Sequence, residues 1–63
     1  MILATVRIFD EWKIREISDN QLSEAQAWAK GIVNQLKESY PHGSFPVIFY
    51  HCKDGEWIKT IEN

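Results

Sequence analysis

The chain has 63 residues, 44% of them hydrophobic, a net charge of −2 and a single cysteine. That confines it to one small domain spanning residues 1–63, without an internal disulfide and without the charge excess of a DNA mimic or a strongly backbone-driven nucleic-acid binder. A domain of about 60 residues buries only ~60% of the surface its unfolded chain exposes, so its core must be efficient or shared with a partner.

The opening segment ILATVRIFDEWKIREI alternates. Ile2, Ala4, Val6, Ile8, Trp12 and Ile14 share one parity, and Thr5, Arg7, Glu11, Lys13 and Arg15 share the other. Period-2 patterning of this kind marks half-buried strand. Its length exceeds the usual strand of about 3 to 10 residues. We therefore expect a hairpin turning near Phe9, Asp10 and Glu11, with one bent strand as the alternative because that turn has no Gly or Asn. An odd loop pairs Ile8 with Trp12 and Val6 with Ile14, which keeps the apolar sides together. The apolar run in MILATVRIF is too short for a signal peptide.

The segment SDNQLSEAQAWAKGIVNQLKESY follows. Leu22, Ala25, Ala29, Ile32, Val33, Leu36 and Tyr40 fall on the stripe of an amphipathic helix, with Trp28 at its margin. Ser18 and Gln21 have the spacing of a capping box, with Ser23 and Gln26 a weaker copy. Gly31 costs about 1 kcal/mol against Ala in mid-helix, a cost that close approach of a strand would explain. Pro41 ends the helix, and PHGSFP reads as a loop.

A second hairpin closes the chain. Asp54-Gly55 is the favoured pair for a two-residue type I′ turn. It pairs Cys52 with Trp57, Tyr50 with Lys59 and Ile48 with Ile61 on one face. Val47, Phe49, His51, Ile58 and Thr60 take the other. The order is thus ββαββ, an α+β two-layer sandwich with one helix on a mainly antiparallel sheet of three or four strands. The helix-facing side is expected to carry Val6, Ile8, Trp12 and Ile14. The uncovered side takes Leu3, Arg7, Phe9, Lys13, Arg15 and Ile17 with one of the two hairpin sets. Either set leaves an apolar, aromatic patch without a helix, and such patches mark interfaces.

Little in the chain suggests chemistry. His51 and Cys52 are strand neighbours and point to opposite faces, so they cannot act together. Cys52 reads as a core thiol and His42 and His51 as surface groups, since two histidines and one cysteine without regular spacing make a poor metal site. Asp10 and Glu11 read as solvated turn residues, and no Gly-rich loop is present to cradle a phosphate. No catalytic residue, cofactor or metal is expected. A lone thiol suits a reducing, cytoplasmic setting, and no stretch approaches the ~20 apolar residues that span a bilayer.

The expected activity is non-enzymatic binding of a protein, either a different chain or a second copy, through the helix-free sheet face or a sheet edge, with Trp57, Tyr50 and Lys59 at the contact and Arg7, Lys13 and Arg15 around them. Aromatics and Arg are the residue types that dominate binding energy. The same basic and aromatic residues on a sheet surface would also suit single-stranded nucleic acid, which is the alternative.

The run LATV in the first hairpin, the helix LSEAQAWAKGIV and a closing strand together resemble, in layout over residues 4 to 50, short phage-encoded proteins that disable host machinery. The phage inhibitor of bacterial RNA polymerase and some anti-CRISPR proteins are of this kind. The present chain departs from the polymerase inhibitor in its longer helix and its complete C-terminal hairpin. The resemblance implies a stand-alone binder without catalysis, and it transfers no binding residue.

Overall fold

Alternation dictates the first strand: Ile2, Ala4 and Val6 point to one side and are essentially inaccessible to solvent, while Arg7 on the other side is exposed. In the computed structural model, which describes residues 1–62, the elements are β1 (Ile2–Ile8), β2 (Glu11–Ile17), α1 (Leu22–Ser39), β3 (Val47–Lys53) and β4 (Glu56–Glu62). The four strands form one antiparallel sheet in the order β2-β1-β3-β4, and α1 packs on one of its faces. This is the expected ββαββ α+β sandwich.

The core lies between β1, β3 and the helix. Ile2, Ala4, Val6, Ile17, Val47 and Phe49 meet Ala25 and Ala29, with Phe45 closing one end and Trp28, Ile32, Val33 and Leu36 packed at the margin. Full burial of an aliphatic side chain such as Ile2 or Val6 contributes about 1.5–3 kcal/mol. Ala25 and Ala29, at i and i+4, are the buried residues of the helix and share this core with Ala4. The larger Ile32, Val33 and Leu36 are only half-buried.

The C-terminal hairpin has the expected register, with Cys52 opposite Trp57, Tyr50 opposite Lys59 and Ile48 opposite Ile61. Asp54 and Gly55 both have positive φ, 52° and 79°, as a type I′ turn requires.

The first hairpin differs from expectation by one residue. Its turn contains only Phe9 and Asp10, so Ile8 pairs with Glu11, Arg7 with Trp12 and Thr5 with Ile14. A one-residue change in loop length moves every side chain of the second strand to the other face. Trp12 and Ile14 therefore lie on the side away from the helix, whereas Lys13, Arg15 and Ile17 lie on the helix side. Phe9 holds φ 58°, and its ring meets Tyr40 and Phe45 edge-on at centroid distances of 5.1 and 5.9 Å. Ile17, buried opposite Ile2, is the apolar contact the shorter loop secures.

The helix start is also simpler than a capping box. Gln21 occupies the N-cap position without a side-chain cap bond, and its N–H donates to the Ser18 carbonyl at 2.9 Å in the preceding turn. Ser23 and Gln26 lie within the helix. Gly31 is exposed, and nothing lies within 4 Å of where its Cβ would be, so no strand approaches it. No helix among the described residues is long and apolar enough to cross a membrane.

Candidate functional site

The sheet face away from α1 is a grid set by the strand registers. Ile14, Thr5, Ile48 and Ile61 form one row across the sheet, and Glu16, Leu3, Tyr50 and Lys59 form the next. Arg7 and Trp12 pair at one end of the grid, and Cys52 and Trp57 pair at the other. No helix or strand among the described residues covers this face. Trp12 is 43% exposed, Ile14 63%, Trp57 49% and Ile61 61%.

The centre of the face is held in place. Thr5 is buried beneath its neighbours, and its hydroxyl donates to the Ile48 carbonyl at 2.8 Å. Thr5, Trp12, Ile14 and Tyr50 outline a shallow concavity of about 220 Å³. Arg7 lies with its guanidinium 5.7 Å from the Trp12 ring centroid, and its Nε donates to the Phe9 carbonyl at 2.9 Å. That contact fixes the indole and leaves the cation at the rim.

Of the six residues singled out from the sequence, Arg7, Tyr50, Trp57 and Lys59 share this face. Lys13 and Arg15 do not: the shorter first turn sends them to the helix side, where Arg15 reaches Glu24 at 3.5 Å. In their place the face gains Trp12 and Ile14, which had been expected under the helix. No local signal marks that exchange, because Phe9-Asp10 carries none of the usual two-residue turn pairs. Cys52, expected in the core, is half-buried on this face beside Trp57.

The helix side is incompletely covered as well. α1 lies over β1 and β2, leaving a groove of about 500 Å³ between the helix and β3–β4, lined in part by Ala29, Val33, Val47 and Phe49, with Lys30 and Glu62 at its edges. Ile58, on the same side of β4, is 50% exposed. Elsewhere, the Asp19 carboxylate accepts from the Met1 amino group and lies 3.3 Å from His51 Nε2. Among the described residues no three His, Cys, Asp or Glu side chains converge as a metal site would require. Comparison with protein families, curated proteins and solved structures finds no match for the chain.

Proposed function

We propose that the protein is a non-catalytic interaction module that binds a protein surface through its open sheet face. The supporting observation is the set of exposed large side chains, Trp12, Ile14, Trp57 and Ile61, on a face that no described element covers. Apolar patches of this extent mark interaction sites, and a buried Trp is the residue type most often found at binding hot spots. Restraint of a host enzyme, the role implied by the layout resemblance to phage inhibitors, is one use of such a face.

The test compares wild type with a Trp12→Ser/Trp57→Ser variant. Proteins captured from a cell extract by wild type are identified, purified and titrated against both. The variant is expected to keep the wild-type circular dichroism spectrum and to bind at least about 100-fold more weakly, since hot-spot residues contribute ~2 kcal/mol or more each. Equal binding by both proteins would overturn the reading.

Single-stranded nucleic acid is the second reading, favoured by Arg7, Lys59, Tyr50 and Trp57 sharing one face. Against it, Lys13 and Arg15 are on the opposite side and Glu16 adds a negative charge to the grid. Tryptophan fluorescence is expected to stay unchanged on titration with oligonucleotides at low salt. Salt-dependent quenching would favour the nucleic-acid reading instead.

A further inference from the structure

On the reading that the open face binds protein, we infer that its occupant is a second copy of this chain, stacked face to face about a two-fold axis running along the strands between β1 and β3. Sheets stacked in alignment keep their strands within about 30° of one another. Two axes in the plane between the sheets allow that, and they make different neighbours. An axis along the strands preserves each row and exchanges β2 with β4 and β1 with β3. Glu16 then faces Lys59 of the second copy, Ile14 faces Ile61 and Leu3 faces Tyr50. By symmetry the Glu16–Lys59 contact occurs twice. An axis across the strands exchanges the rows instead, and sets Glu16 against Ile14 and Lys59 against Ile61. Charges placed against aliphatic side chains lose water without gaining a partner.

Within one molecule the two charges cannot meet. They occupy opposite ends of the same row, three strand spacings or about 14 Å apart. Neither belongs to an ion pair among the described residues. Across a stacked interface the sheets lie ~10 Å apart, a gap that an extended Glu and an extended Lys close from opposite sides. The apolar rows between them supply the desolvated centre, and the charges fix the register, as complementary charges do at interfaces. Four strands of seven residues present a footprint of roughly 19 by 23 Å. Both copies together thus contribute close to the ~1,000 Å² that separates specific interfaces from chance contacts.

Sedimentation equilibrium over a range of protein concentrations tests the inference. Wild type is expected to shift from 7.4 kDa to twice that mass. Glu16→Lys and Lys59→Glu should each raise the dimer dissociation constant at least about tenfold, because each turns two attractive contacts into two repulsive ones. The double variant Glu16→Lys/Lys59→Glu should return to near the wild-type value. Both positions are exposed in the single molecule, and circular dichroism checks that each variant is folded. A wild type that stays at 7.4 kDa up to millimolar concentration overturns the second copy as occupant. A dimer in which the double variant is no tighter than the single ones overturns the axis along the strands. Neither result changes the capture comparison of the tryptophan variant, which decides separately whether the face binds a different protein.

Discussion

Phe9 carries a backbone conformation that few bulky residues adopt. Its φ of 58° lies in the left-handed region, which costs an L-residue roughly 1–2 kcal/mol and glycine almost nothing. The ring offsets that cost through its two edge-on contacts with Tyr40 and Phe45, each worth about 0.5–1.5 kcal/mol beyond area burial. Two substitutions separate these effects. Phe9→Ala loses the ring and keeps the strained backbone, whereas Phe9→Gly loses the ring and relieves the strain. Urea denaturation should find Phe9→Ala less stable than Phe9→Gly by about 1 kcal/mol, and the opposite order would mean that the turn is not strained at this residue. Gly55 makes the converse case. Its φ of 79° sits in open space, so Gly55→Ala meets no neighbour and should still lose about 1–2 kcal/mol from backbone conformation alone.

At the level of elements, the helix tolerates a cost that nothing nearby requires. Gly31 is exposed in the middle of α1 with no atom within 4 Å of its missing Cβ. Gly31→Ala should therefore raise the urea midpoint by the equivalent of about 1 kcal/mol; a lower midpoint would point to a contact made only in an assembly. The two hairpins show what made some elements legible and others not. Asp54-Gly55 names its own turn, because both residues accept positive φ, and the register of β3 and β4 follows from it. The helix stripe is equally readable, since Ala25, Ala29, Ile32, Val33 and Leu36 recur at the helical period. Phe9-Asp10 names nothing. The alternation through residues 2–17 allows either parity for β2, one burying Trp12 and Ile14 and the other burying Ile17. Only tertiary packing decides, through Ile17 against Ile2 and Phe9 against the Tyr40–Phe45 end of the helix. That single step accounts for the misplacement of Lys13 and Arg15 and for the missed contribution of Trp12 and Ile14. Phe45 was hidden for a related reason: its Pro/Gly/Ser surroundings read as loop, yet its ring is buried in the core.

The whole molecule is lopsided. It extends 39 × 20 × 16 Å, and its helix lies over β1 and β2, while every described residue of β4 is exposed. β4 rests almost entirely on its hydrogen bonds and side-chain pairs with β3, and a hairpin without a packed layer is marginal by itself. Local opening should follow that gradient, because segments with few buried apolar contacts open at low free energy. Amide exchange monitored by mass spectrometry on dilute protein is expected to be slowest in β1, which has a neighbour on both sides and the helix above, and fastest among the strands in β4. Stacking a second sheet on the open face adds the missing layer over Trp57, Lys59 and Ile61 without touching the backbone edge of β4. Exchange in β4 should therefore slow as protein concentration rises through the dimerisation range, and that in β1 should slow with it, because global unfolding also requires the two copies to separate. Slowing confined to β4 edge amides would instead indicate strand-to-strand pairing of two sheets. Exchange independent of concentration throughout would mean that β4 is stabilised by its own hairpin, and that the lopsided core is all the cover this molecule needs.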